Sequence, residues 1–165
     1  MRGTNFVGGV AVTNGVDISM FTFTGEGGAT YALTSASDVE ITSATSFAVT
    51  LAGADLYNVE ALLNKNGTAS YASNTTFNLA AADNWLRGAA TTSAIADAAA
   101  TITVSNYAAP TLTSATFDAS TGAVVLTGTN FVNKSGANND ITANTLTLTG
   151  EGGSYTLTDT ANAEV

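Results

Sequence analysis

The side chains of this chain that could do chemistry are carboxylates placed in or beside turns. Four of them lie at predicted loops or turns and are candidate calcium ligands: Asp17, Asp140, Glu26 and Glu151. Carboxylate and carbonyl oxygens are the ligands that Ca²⁺ prefers. Asn and Asp also cap turns through their own side chains, and this interpretation is the preferred one. The sequence therefore predicts no obligatory cofactor, with calcium as the one candidate ion.

Catalysis has little support in the composition. The chain contains no His and no Cys, which excludes Ser-His and Cys-His nucleophile pairs and any zinc site built from those ligands. A glycosidase would need two carboxylates about 5 to 10 Å apart in a cleft. Glu40 and Glu60 are available, but they fall on a predicted strand and a predicted helix face, as solvated carboxylates do. We predict that the protein is not an enzyme.

The charge balance excludes two classes of partner. The formal net charge is −9, with only four Lys and Arg residues among 165. Nucleic-acid binding depends on clustered basic residues, and so does binding to an anionic membrane surface. The chain has no run of 18 apolar residues, so the sequence predicts no membrane insertion.

The chain contains an internal repeat. "TFTGEGG" at 22–28 returns as "TLTGEGG" at 147–153, and "GTNFV" at 3–7 returns at 128–132. Both pairs are offset by 125 residues, from position 3 to 128 and from 22 to 147. Past the turn the second copy has one residue fewer, which pairs Tyr31 with Tyr155, Leu33 with Leu157 and Glu40 with Glu164. A repeat of this kind indicates a module that is built more than once.

The hydrophobic pattern predicts the fold class. Apolar residues and Thr alternate in short runs such as "MFTFTG" and "NTLTLTG", which is typical of half-buried antiparallel strands. The "GEGG" and "DASTG" stretches predict hairpin turns. One segment has helical spacing and predicts an α-helix over about 54–65, stopped by Gly67; a shorter helical turn is predicted over 80–85. The prediction is an all-β, immunoglobulin-like antiparallel β-sandwich with a short inserted α-helix.

The repeat also predicts the domain organisation. Residues 3–107 are the later part of one copy, 108–110 are a linker containing Pro110, and 111–165 are the opening part of the next copy. Residues 111–127 are expected to fold back and complete the first copy as one permuted domain. Alternatively, they complete a neighbouring chain and build a fibre by strand donation.

Several motifs together resemble a known family: "PTLTSATFDASTGAVVLTGTNFV", "ITANTLTLTGEGGSYTLT", "VEITSATSFAVTL" and "LLNKNGT". They look like the tandem extender repeats of large bacterial RTX-type surface adhesins, which are exported by type I secretion. The resemblance implies an immunoglobulin-like module in series that projects an adhesive tip from the bacterial cell surface, with neighbouring repeats or identical subunits as partners. The "GGxGxDxLx" nonapeptide of RTX proteins is missing from the chain, so calcium-driven folding does not carry over.

Three functions follow as hypotheses. The first is a structural extender of a secreted adhesin, found at the cell surface and in biofilms. The second is a self-assembling subunit of an extracellular fibre or surface layer. The third is a carbohydrate-binding module, for which Trp85, Tyr31 and Tyr57 would form the aromatic platform, although a lone Trp is more typical of a core position.

Overall fold

The computed structural model describes residues 15–34, 39–41, 43, 45–87, 89, 94–133, 140–158 and 163. The chain divides into two compact units, Met1–Tyr107 (unit 1) and Ala108–Val165 (unit 2). The completion of the first copy by residues 111–127 stays a prediction.

Unit 1 is organised around a four-stranded antiparallel sheet with the order β2-β1-β3-β4. Among the described residues of unit 1, one α-helix, α1, covers Gly53–Leu62. The strands are β1 (Phe21–Thr24), β2 (Thr30–Ala32), β3 (Asn78–Ala81) and β4 (Asp97–Thr101).

The core of unit 1 lies under β1, as the alternation of apolar residues and Thr predicts. Phe21 is 3% exposed, and the partly buried Phe23 packs against the same apolar cluster. The Trp85 ring lies 5.7 Å from the Phe21 ring and 6.0 Å from the Phe47 ring. Trp85 is therefore a core residue, and it packs there with the Phe21 and Phe47 rings.

Helix α1 begins and ends close to the predicted bounds of about 54–65. Its inner face buries Asp55, Val59 and Leu62 at the i, i+4, i+7 spacing. The expected stop at Gly67 is wrong, because the chain already leaves helical geometry at Leu63 (φ −96°, ψ 57°). Gly67 instead exchanges backbone hydrogen bonds of 2.9 and 2.8 Å with Val104.

The structure of unit 1 departs from the local sequence pattern in three places. The helical turn expected over 80–85 is wrong, because β3 runs to Ala81 and pairs with a strand on each side. Strand β4 lies in a stretch of small residues that lacks the alternation of apolar residues and Thr. The stretch 47–51 belongs to no named strand, yet its side chains alternate between half-buried and exposed, as the pattern predicts.

The described residues of unit 2 form two hairpins. The first joins β5 (Thr111–Asp118) to β6 (Ala123–Thr129), and the second joins β7 (Thr147–Gly150) to β8 (Gly153–Thr156). Both turns fall where "DASTG" and "GEGG" predict them. After β6, the Phe131 ring packs so closely on Gly128 that a side chain at this glycine would collide with it.

The described residues thus form eight strands in antiparallel sheets with one short α-helix. The predicted all-β class with an inserted helix is confirmed, and the arrangement as an immunoglobulin-like sandwich stays a prediction. Among the described residues, no helix has the length and apolar character needed to cross a membrane.

Candidate functional site

The two copies of the repeat form the same hairpin. In unit 1, Phe23 of β1 pairs with Tyr31 of β2, and in unit 2 Leu148 of β7 pairs with Tyr155 of β8. The flanking pairs match as well: Thr22–Ala32 with Thr147–Thr156, and Thr24–Thr30 with Thr149–Ser154. We call residues 21–32 the copy-1 hairpin and residues 146–156 the copy-2 hairpin.

The backbone around each hairpin also matches. Val16 and Val39 exchange two hydrogen bonds of 2.9 and 3.1 Å, and Ile141 and Ala163 exchange two of 3.0 Å. A single 3-10 turn follows in each copy, Ile18–Met20 and Ala143–Thr145. The prediction that one backbone is built twice is therefore confirmed for the described residues.

The one-residue difference between the copies is confined to the hairpin tip. The copy-1 tip includes a 3-10 turn over Glu26–Gly28, with Gly27 at φ 61° and Gly28 at φ 83°. The copy-2 tip is shorter, with Gly152 at φ 87° and Gly153 at φ 143°. These left-handed conformations favour glycine, which explains the two glycines that follow the Glu in each tip.

A buried carboxylate fastens the copy-1 hairpin to helix α1. Asp55 is 3% exposed. It accepts hydrogen bonds from the Tyr31 hydroxyl at 2.8 Å, the Thr34 amide at 2.9 Å and the Thr34 hydroxyl at 2.8 Å. A buried carboxylate is stable only when such donors surround it, so this cluster fixes where α1 lies on the hairpin.

A second carboxylate fastens the tip of the copy-1 hairpin. Glu26 accepts hydrogen bonds from the amides of Tyr71 (3.1 Å) and Ala72 (2.9 Å), one on each oxygen. Charge-assisted bonds of this kind are stronger than neutral ones. Beside it, Gly25 packs so tightly against α1 that a side chain would collide with the carbonyl of Leu62.

An apolar groove of about 430 Å³ lies on the inner face of the copy-1 hairpin. It is lined by Phe21, Phe23, Leu33, Phe47, Ala48, Val49, Leu51, Leu79 and Ile102. The adjacent strands β1 and β3 and residues 47–51 all contribute side chains to its lining. We call residues 47–81 the cover segment, because they include 47–51, α1, the Tyr71 and Ala72 amides and β3.

The copy-2 hairpin carries the same contact residues, and the described residues of unit 2 leave them uncovered. Gly150 has open space where Gly25 meets α1. Leu148 is 41% exposed and Tyr155 is 60% exposed, whereas the corresponding Phe23 and Tyr31 are partly buried. Within the described part of the chain, strand β7 pairs with β8 alone, whereas β1 pairs on both sides.

Unit 2 has its own apolar cleft, of about 470 Å³, on the side that faces the first hairpin. It is lined by Val124, Val125, Leu126, Phe131, Ile141, Ala143, Leu146, Leu157 and Ala163. Leu146 and Leu157 are the counterparts of Phe21 and Leu33 in the groove of unit 1. The same two repeat positions therefore line an apolar recess in both units.

The four candidate calcium ligands lie in different surroundings. Asp17 accepts hydrogen bonds from the Ser19 amide (3.1 Å) and hydroxyl (2.6 Å), and it pairs with Arg87 at 3.1 Å. Asp140 donates its amide to the Ala163 carbonyl. Glu26 binds two amides as described, and Glu151 lies exposed at the copy-2 tip.

No three His, Cys, Asp or Glu side chains come together as a metal-holding group within the described part of the chain. The carboxylates of Asp17 and Glu26 instead accept hydrogen bonds from the chain itself. Asp17 is replaced by Thr142 at the matching position of the second copy. Calcium binding stays a hypothesis, and turn and loop fastening accounts for both unit 1 carboxylates.

The other side chains singled out in the sequence lie either at the exposed surface or in the core. Glu40 and Glu60 are exposed. Trp85 is 7% exposed, and its indole N–H donates to the Ile95 carbonyl at 2.9 Å. Its ring is therefore packed in the core instead of being presented to a ligand.

Sequence analysis missed Asp55, which is the most informative residue of the site. Its signal was present, because Asp55 shares the i, i+4, i+7 spacing of Val59 and Leu62 on the buried face of α1. An acid on an apolar helix face requires a partner. One sequence alone does not identify Tyr31 and Thr34 as the donors.

One exposed carboxylate in unit 2 has a shifted pKa. Asp118 accepts hydrogen bonds from the Ser120 hydroxyl (2.6 Å) and amide (2.8 Å) at the turn between β5 and β6. The Ser120 hydroxyl is the main cause that lowers the pKa of Asp118 below its ordinary value of 3.8, and the Ser120 amide adds to it. This carboxylate holds the turn.

Comparison with known proteins adds no identification. The chain matches no family model, and no curated protein and no solved structure is detectably similar to it.

Proposed function

We propose that this chain is part of a structural extender of a secreted bacterial surface adhesin, without catalytic activity. The observation that carries the proposal is the repeated hairpin, whose strand pairs match pair by pair at an offset of 125 residues before the tip and 124 after it. Modules that repeat along one chain lengthen it by a fixed increment, which is what a spacer needs.

The contacts inside unit 1 support a mechanical role. Asp55 and Glu26 tie segments far apart in sequence to one hairpin through five hydrogen bonds. Such long-range fastening resists local opening better than contacts between neighbours do. The exterior is weakly charged, with only 10% charged residues, and the outward Thr side chains pair with one another, as Thr111 does with Thr129 at 2.8 Å.

The extender proposal is tested by chain length. Proteins that join one, two and three copies of residues 1–165 in tandem should be monomeric, and their maximum dimension in small-angle X-ray scattering should grow by a constant increment. A maximum dimension that grows only as the cube root of mass would contradict the proposal, because it would indicate a compact globule.

A self-assembling subunit of an extracellular fibre or surface layer is the alternative. It is favoured by one observation, the open edge of β7 beside the exposed side chains of Leu148 and Tyr155. Unpaired strand edges recruit strands from other chains. Filaments or sheets of the purified chain in negative-stain microscopy, with a mass that rises with concentration, would support this alternative over the extender.

A carbohydrate-binding module is the remaining alternative, and it has less support. Of its three expected aromatic residues, Trp85 is buried in the core and Tyr31 is fastened to Asp55. Binding of the purified chain to glycans on an array would support the carbohydrate-binding alternative.

A further inference from the structure

We infer that the copy-2 hairpin is a docking surface for a second cover segment, that is, a polypeptide with the sequence of residues 47–81. The segment would be supplied in cis after β8, because in unit 1 the cover segment follows β2 in the same chain. This inference deepens the extender proposal and rests on it, since it names the partner that each hairpin binds.

Two hydrogen-bond donors of unit 2 match the donors that bind the Asp55 carboxylate in unit 1. Tyr155 and Thr158 occupy the positions of Tyr31 and Thr34, which both donate to Asp55 in unit 1. In unit 2 the Tyr155 hydroxyl lies 3.5 Å from the Thr158 hydroxyl, and both residues are exposed. A carboxylate placed like Asp55 would accept from both side chains.

The tip of the copy-2 hairpin keeps two residues that contact the cover segment in unit 1. Gly25 is needed because α1 packs against it, whereas a side chain at the repeated Gly150 would enter open space. Glu26 binds two backbone amides of the cover segment, while the repeated Glu151 lies exposed at the tip. Both tip residues fit a segment that carries the amides of Tyr71 and Ala72.

In the described part of unit 2, the apolar face of the copy-2 hairpin is uncovered and the edge of β7 is open. Leu148 and Tyr155 are directly opposite each other on the inner face of the copy-2 hairpin. Phe117 is 65% exposed, and it shares a face of the first hairpin with Val124. In unit 1, the side chains of residues 47–51 pack against the cluster that contains the matching positions, and β3 pairs with the matching edge.

These requirements together select one occupant. The surface calls for a carboxylate, two adjacent backbone amides, a helix end that tolerates only glycine beneath it, and a strand that pairs antiparallel. The cover segment supplies all four with the spacing seen in unit 1. Its apolar side chains Phe47, Val49 and Leu51 match the exposed apolar face.

The test extends the full chain by a second copy of residues 42–107 placed directly after Val165. This junction keeps the register, since Val165 corresponds to Ile41. Hydrogen–deuterium exchange with mass spectrometry should show amides of residues 147–150 exchanging about tenfold or more slowly than in the original chain. The appended copy of Trp85 should show the fluorescence of a buried indole.

Two variants of the extended chain keep the result specific. Gly150→Ala should abolish the protection, because its methyl group would collide with the appended helix, and Asp55→Ala in the appended copy should reduce it. Gly150→Ala in the original chain is the matched control and should change nothing. Protection that survives Gly150→Ala would overturn the inference, because the segment would then be bound elsewhere.

The remaining outcomes also decide the question. An appended segment that stays unfolded beside an intact unit 1, with β7 exchanging as before, would overturn the inference. Concentration-dependent protection of β7 in the original chain would indicate that a second molecule covers the face, and it would overturn supply in cis. Failure of docking would leave the length increment of tandem chains unaffected, so the two proposals fail separately.

Discussion

The hydroxyl of Tyr31 on β2 donates a hydrogen bond of 2.8 Å to the carboxylate of Asp55 on α1, across 24 residues of sequence. This pair joins the repeat hairpin to the inserted helix. Trp85, the one Trp of the chain, lies in unit 1, so its fluorescence measures the unfolding of that unit separately from unit 2.

The first prediction concerns this pair. Asp55→Ala should lower the free energy of unfolding of unit 1 by about 2–4 kcal/mol, because the Tyr31 hydroxyl and the Thr34 amide lose their acceptor. Urea unfolding followed by Trp85 fluorescence measures the change. Glu60→Ala on the exposed face of α1 is the matched control and should shift stability by less than about 0.5 kcal/mol. Equal losses in the two variants would contradict the role of Asp55.

The second prediction compares two glycines at the same repeat position. Gly25→Ala should destabilise unit 1 by about 1–3 kcal/mol, because the added methyl group collides with the carbonyl of Leu62 at the end of α1. Gly150→Ala should leave the original chain unchanged within about 0.5 kcal/mol. Trp85 fluorescence measures the first variant and calorimetry of the whole chain the second. A neutral Gly25→Ala would show that the helix does not pack as described.

The third prediction concerns calcium. Adding a chelator should leave the midpoint of thermal unfolding unchanged, because the carboxylates of Asp17 and Glu26 already accept hydrogen bonds within the chain. Differential scanning calorimetry with chelator and with added CaCl₂ measures it. A midpoint that falls with chelator and recovers with Ca²⁺ would establish the calcium hypothesis, and the same scan on Glu151→Gln and Asp140→Asn would then locate the ion.

The fourth prediction concerns pH. The folded-state pKa of Asp118 lies below its ordinary value of 3.8. Its stabilising contribution is therefore fully present above that value and is lost as the pH falls through the lower folded pKa. Carboxyl NMR titration should find the depressed pKa, and Ser120→Ala should move it back toward 3.8. An Asp118 that titrates alike in the two proteins would contradict the hydrogen-bonded turn.

The strands and hairpins could be predicted because their signal is local. Alternation of Phe with Thr in β1 and of Leu with Thr in β7 fixes which side chains face inward, and the glycines mark the tips. The repeat made the prediction stronger, because two separate stretches of sequence indicate the same hairpin.

The errors came where tertiary contacts override local preference. Residues 97–101 read "DAAAT" and lack β-branched residues until Thr101, yet they form β4 because β3 offers an edge to pair with. The Ala residues at 80 and 81 favour helix by propensity, but β1 draws them into β3. Gly67 resembled a helix stop, and its amide is used by Val104 instead.

The site was less predictable than the fold. The acids were identified as possible ion ligands, whereas Glu26 fastens a loop 45 residues away. Such a contact depends on where the loop at Tyr71 returns, which no local pattern encodes. The two copies differ at this position. Glu26 is fastened to two backbone amides, whereas the repeated Glu151 is exposed.

The shorter tip of the second copy has a practical consequence. One residue is lost between Gly150 and Gly153, yet the pairing of every flanking residue is unchanged. The tip therefore absorbs changes in length without transmitting them to the strands. An epitope or a fluorescent reporter inserted between Glu151 and Gly152 would mark the molecule at a known point and leave both hairpins of unit 2 in register.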